Sequence, residues 1–172
     1  AIHTLRQWCL WNKGSDKVLL KIDFSNAFNC VSRTAVLREI REHFPDLARW
    51  AEWCYAVQSN LVFGPHTVNS VAGVQQGDPL GPLFFSLAIH PLAKELASQG
   101  RNGHEGSPLD LVLFYLDDGV VCGSPEAVAE ALQTLSQRAD SMGLSLSLGK
   151  CDLVTAADAA AADAARENLA NL

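Results

Sequence analysis

With 172 residues, 48% of them hydrophobic, the chain is long enough to bury one proper core, which argues against disorder for most of its length. Its net charge of -6 and pI near 5.2 argue against an autonomous nucleic-acid binder, since such domains carry a basic face. A small acidic catalytic core within something larger still fits.

The chain opens without a methionine, inside a helical pattern, and reads as a fragment. Residues 18–24, VLLKIDF, are short and rich in branched aliphatics, the pattern of a buried strand ending at an acid, Asp23. Two helices follow. Ser32 caps the first, with Val36, Leu37, Ile40 and Phe44 on one face; Pro45 breaks it, and Asp46 caps the second, with Leu47, Trp50, Cys54 and Val57 aligned. Residues 61–74 mix glycine, proline and alternating side chains, which suits a short hairpin.

Asp78 and Pro79 form a cap and a first-turn proline, opening a long apolar helix with a kink expected near Pro91. A polar loop covers residues 100–108. The run LVLFYLDDGVV at 111–121 reads as a hairpin, and a helix over 125–142 begins at Ser124 and ends at Gly143. Leu144, Leu146 and Leu148 alternate with serines, predicting a strand with one buried face that residues 150–154 continue or pair with. Residues 156–170 are alanine-rich and lack an apolar stripe, so 155–172 reads as a tail outside the core.

Strand, helices, hairpin, helix and strand in that order define an α+β class, a ferredoxin-like split βαβ with an antiparallel sheet and helices packed on one face. In such a sheet the first strand and the hairpin lie side by side, bringing Asp23 toward Asp117 and Asp118. Two readings stand for these acids. In one, Asp23 ends a strand, Asp118 and Gly119 make a tight turn, and Asp117 pairs with Lys21 or Lys150. In the other, the three carboxylates hold metal, because like charges at 4 Å repel by about 4 kcal/mol at an effective dielectric near 20 and must protonate or bind cations. All-oxygen ligation selects Mg²⁺ or Mn²⁺, and two such ions form the clamp of in-line phosphoryl transfer.

The other candidates for chemistry carry less. Five scattered cysteines match neither a zinc site nor a disulfide framework and suit a reducing, intracellular setting; the histidines form no HExxH pair. The longest apolar run, residues 83–89, is too short to cross a bilayer.

Four segments together, LLKIDFSNAFN, GVQQGDPLGPLFFSL, FYLDDGVV and GLSLSLGKC, resemble motifs A to D of the reverse transcriptase palm, in that order, with a non-LTR retroelement flavour and a more distant likeness to group II intron enzymes. The similarity covers residues 1–154. It implies a partial domain lacking most of the fingers and all of the thumb, and an RNA-directed DNA polymerase using two divalent ions, an RNA template, a DNA primer and dNTPs, completed by the rest of a retroelement polymerase. It implies Asp23 and Asp117 as ligands of both metals, Asp118 as a weaker one, and Phe24 as a carbonyl donor. It also gives Phe28 as the sugar-selecting aromatic, Gln76 and Gly77 beside the nucleotide and template, Tyr115 beside the primer end, and Lys150 as a proton donor to pyrophosphate. Another class of function remains open: a catalytically silent palm remnant serving as a structural or interaction module.

Overall fold

The structure, a computed structural model, describes residues 2–75, 77–101 and 106–155. They fall into two compact units. The first comprises the described parts of Ala1–Phe24, Leu92–Arg138 and Leu146–Leu172, the second Ser25–Pro91 and Ala139–Ser145.

The first unit holds helix α1 (Ile2–Trp11), strands β1 (Val18–Ile22), β4 (Leu111–Tyr115), β5 (Asp118–Gly123) and β6 (Asp152–Thr155), the end of helix α5 (Gly81–Ser98) and most of helix α6 (Pro125–Ser141). The sheet order is β4-β5-β1-β6, every neighbour antiparallel. With helices between β1 and β4 and between β5 and β6, this is the expected split βαβ topology. Val18, Leu20 and Ile22 alternate onto a buried face with Val121. Ala127 of α6 meets that face at Gly123, and Val128, Ala131 and Leu135 follow at helical spacing, all buried. Ser124 caps α6, accepting the Ala127 N–H at 3.2 Å.

The second unit holds α2 (Ala27–Cys30), α3 (Arg33–His43), α4 (Pro45–Tyr55), the hairpin β2–β3 (Ser59–Phe63, His66–Ser70) and the start of α5. Ser32 caps α3 through the Ala35 N–H, and Val36, Leu37 and Ile40 are buried as the periodicity required. Phe44, expected on that face, instead ends the helix, its φ of -139° breaking the turn; Pro45 then occupies the first position of α4, so Asp46 lies in the first turn and is not the cap. The buried line of α4 runs through Ala51 and Tyr55, while Trp50 and Val57 are exposed.

One strand prediction fails. Residues 144–148 form no strand: Leu146 makes a single bridge to Phe24, and the chain tightens into a 3₁₀ turn, Leu148–Lys150, before β6. β6 takes in Thr155, which pairs with Val18; the alanine-rich stretch from 156 lies outside the described residues. No helix among the described residues is long and apolar enough to cross a membrane.

Candidate active site

Hairpin β4–β5 closes between Tyr115 and Asp118, which pair in register, so its loop is Leu116 and Asp117. The loop therefore differs from the Asp-Gly turn expected from sequence. Positive φ, 56°, falls on Leu116, and Gly119 sits within β5. The reason for that glycine is packing: a Cβ there would lie 2.6 Å from Phe114 Cε1 and 3.1 Å from Ile22 Cβ.

Register places two of the three acids side by side. Ile22, the last residue of β1, pairs with Gly119, so Asp23 follows just past the end of β1 at the level of Asp118, and Asp118 in turn pairs with Tyr115. Tyr115 and Asp118 thus form a row across β4 and β5, which Asp23 continues at the end of β1, on the face opposite the buried Ile22 side. Tyr115 is 72% exposed, Asp118 is exposed and Asp23 is half-buried. Asp117, half-buried, is on the turn beside the row and out of register with it. Among the described residues, the three candidate ligands whose donor atoms lie within 4.8 Å of one another are Glu39, Glu42 and His43, one turn of α3, of which Glu39 already meets Arg38 at 3.0 Å and His43 at 3.6 Å.

No Lys or Arg among the described residues forms an ion pair with Asp23, Asp117 or Asp118, so the Lys21 and Lys150 salt bridges of the alternative reading are not made. Lys150 is exposed, on the 3₁₀ turn. Backbone bonds fix the strand end: Ser147 N–H donates to the Asp23 carbonyl at 2.8 Å, and the Phe24 side chain is buried. Cys122, on β5, is no nucleophile, because burial, reinforced by Cys9 and Asp110, pushes its thiol up to about 12.

Phe28 and Gly77 belong to the second unit. Phe28 is half-buried and stacks on Phe85, ring centroids 4.5 Å apart and 13° from parallel. Gly77 is exposed with φ 93°, a conformation suited to glycine, and open space surrounds its missing side chain. Gln76 lies outside the described residues.

Sequence reading missed the buried polar system in this unit. Arg33 donates from Nε to the Gly73 carbonyl at 2.9 Å and from its two terminal nitrogens to the Ser70 carbonyl and Oγ at 2.8 and 2.7 Å, with its guanidinium 5.5 Å from the Tyr55 ring centre. Tyr55 donates its hydroxyl to Asp78 and accepts the Gln75 N–H. The available signal was Arg33 on the apolar stripe of α3, seven residues before Ile40, where an unpaired charge would be costly.

An antiparallel split βαβ sheet with acids at a hairpin end defines a polymerase palm. Solved structures of similar fold include telomerase from Candida albicans in complex with a telomeric RNA fragment (TM-score 0.64, 14% identity, 90% of this chain and 29% of that one) and apo telomerase from Candida tropicalis (0.62, 14%, 90% and 31%). The family model for reverse transcriptase (RNA-dependent DNA polymerase) matches residues 1–167, and the chain belongs to that family. It is of the non-LTR retroelement type. Its relatives include the retrovirus-related Pol polyprotein of type-1 retrotransposable element R2 from Popillia japonica, 27% identical over 84% of this chain, and the SLACS 132 kDa retrotransposable element protein from Trypanosoma brucei gambiense, 27% identical over 77%. The chain spans 25% and 11% of the lengths of these two relatives.

Proposed function

We propose that this chain is the catalytic palm of an RNA-directed DNA polymerase, in which the 3′-hydroxyl of a DNA primer attacks the α-phosphate of a dNTP opposite an RNA template and pyrophosphate leaves. The carrying observation is the row of Asp118 and Asp23 with Asp117 on the adjoining turn, none of them paired with a Lys or Arg among the described residues. Membership of the reverse transcriptase family supports it.

An all-carboxylate donor set fits hard divalent cations, Mg²⁺ or Mn²⁺, with Asp23, Asp117, Asp118 and the Phe24 carbonyl as the groups that would hold two of them. Bound there, such ions supply Lewis-acid stabilisation of the phosphoryl oxygens and lower the pKa of the attacking hydroxyl. The chain's own part is positioning and charge. Asp23 is held by the Ser147 bond to its carbonyl, and Asp118 by its place between Tyr115 and β1. Tyr115 presents an exposed aromatic beside Asp118, suited to the primer end. Phe28 takes the sugar-selecting role, Gln76 and Gly77 approach nucleotide and template, and Lys150, solvent-exposed, serves pyrophosphate.

Thermal melting with and without cation tests the acids. A ligand that binds only the folded state stabilises it, so millimolar Mg²⁺ or Mn²⁺ should raise the Tm, and Asp117→Asn should blunt the rise. A melting point indifferent to both ions would sink the metal reading and favour the silent-remnant alternative.

A further inference from the structure

The loop from Gly73 to Asp78 carries Gly77, and one phenol is bonded to it on either side of that glycine, at Gln75 and at Asp78. Tyr55, at the last turn of α4 and 2% exposed, donates to Asp78 Oδ2 and accepts the Gln75 N–H at 3.2 Å. Asp78 is itself anchored, its Oδ1 taking the Leu80 N–H at 2.9 Å where α5 begins. Behind the phenol, the Tyr55 ring stands edge-on to Phe84 at 5.9 Å and packs beneath Arg33. Arg33, 8% exposed, holds the start of the loop through the Gly73 carbonyl and the end of β3 through the Ser70 carbonyl.

This arrangement exceeds what a hydrophobic core requires. A phenylalanine would fill the same space against Phe84 and under the guanidinium; only the hydroxyl distinguishes the two, and both of its bonds go to the loop. Burial, then the bond to Asp78, push the phenol up to about 12, so the hydroxyl keeps its proton and remains a donor throughout the neutral range. The loop is thereby fixed on either side of Gly77, at Gln75 and at Asp78, and Gly77 holds its positive φ between these two anchors.

We propose that Tyr55 is a positioning residue: through Gln75 and Asp78 it sets the conformation of the loop that carries Gly77, and so the affinity for the incoming nucleotide. The proposal rests on the polymerase reading for what the loop contacts, and on the hydrogen bonds alone for the tether. Arg33 steadies the loop's upstream end and Tyr55 its downstream end.

The test uses the full-length protein in steady-state primer extension with hydrogen exchange alongside. Tyr55→Phe should raise the KM for dNTP about 10-fold while kcat stays within about two-fold, the signature of lost ground-state positioning. Exchange across residues 73–78 should quicken in this variant, with α3 unchanged. Asp78→Asn, whose amide can still take the Leu80 N–H and reach the phenol, should lose less than about three-fold in KM. Unchanged exchange in Tyr55→Phe, or a fall in kcat in step with a lowered Tm and an unmoved KM, overturns the positioning role. The polymerase reading fails by a different result, incorporation by the wild type that Asp117→Asn does not reduce, and that result overturns the nucleotide-affinity role even if exchange still reports the tether.

Discussion

Strands β2 and β3 close through Gly64 and Pro65, while β4 and β5 close through Leu116 and Asp117. Each loop has two residues, and each carries positive φ at its first, 58° at Gly64 and 56° at Leu116. The first hairpin follows ordinary turn chemistry, with glycine where the backbone demands it. The second puts a leucine there, at a cost of about 1 kcal/mol, and places its glycine inside β5 where Phe114 and Ile22 leave no room for a Cβ. Their surroundings differ as well: Val62 and Phe63 of the first hairpin are 77% and 81% exposed, whereas Val121, Cys122 and Gly123 of the second are buried. Strain held by a packed sheet at a residue next to two acids is the pattern of a functional turn. The LDD sequence is thus not one that ease of turning would select, since leucine takes the positive φ while the nearby glycine answers a packing demand.

Breaking the chemistry of the second turn should have the largest effect. If Asp117 holds metal as proposed, Asp117→Asn in the full-length protein should lower the kcat of primer extension on the order of 10³-fold, because the change removes a charge with almost no change of shape. Far-ultraviolet circular dichroism and Tm should stay near wild type. A His66→Ala change next to the other turn, where the side chain is exposed, should leave kcat within about two-fold. Equal effects of the two changes would mean that the two turns do not differ in function.

Gly119→Ala attacks the packing that the second hairpin depends on. The added methyl would overlap the Phe114 ring and crowd Ile22, so Phe114 must leave its position or the strands must part. A loss of about 2 kcal/mol in urea unfolding is expected, within the range for overpacked cores. A neutral result would mean the ring is free to move, and Gly119 would then need another explanation.

Much of this fold was legible because its signals are local. β1, the β4–β5 hairpin, the Ser32 and Ser124 caps and the buried line of α3 each depend on residues a few positions apart. The failures depend on distant partners. Residues 144–148 alternate as a strand should, yet only Leu146 bridges to Phe24, and Leu148 is 67% exposed. On α4 the aligned set Leu47, Trp50, Cys54 and Val57 passes over the smaller Ala51 and the hydrogen-bonding Tyr55, which are the buried ones. In the site, the motif acids were visible as residue types, and their placement at one end of the sheet followed from topology. That Asp118 would face Asp23 and Asp117 would ride the turn required knowing which two residues form the loop. An Asp-Gly pair suggests the wrong two, since glycine can answer a packing demand as well as a torsional one. The Arg33, Tyr55 and Asp78 system joins positions 22 and 23 residues apart and leaves no mark in periodicity.

The smallest effects come from exchanging turn residues between the two hairpins, and they isolate the backbone from the chemistry. At Gly64 a Cβ would meet nothing within 4 Å, so Gly64→Ala is a torsional change alone. It should cost about 1 kcal/mol, the penalty for an L-residue at positive φ, offset in part by the lower entropy of the unfolded chain. Leu116→Gly makes the reverse exchange. It relieves a similar torsional cost but gives up the contacts of a half-buried side chain and adds unfolded-state freedom worth about 0.5 to 1 kcal/mol, so the net change in stability should be under about 1 kcal/mol. Activity separates the two variants. A looser turn lets Asp117 wander, and kcat for primer extension should fall about 10-fold in Leu116→Gly while Gly64→Ala keeps the wild-type rate. Should Leu116→Gly retain full activity and gain more than about 1 kcal/mol in urea unfolding, the leucine would be a tolerated defect, and the strained turn would have no part in holding the acid.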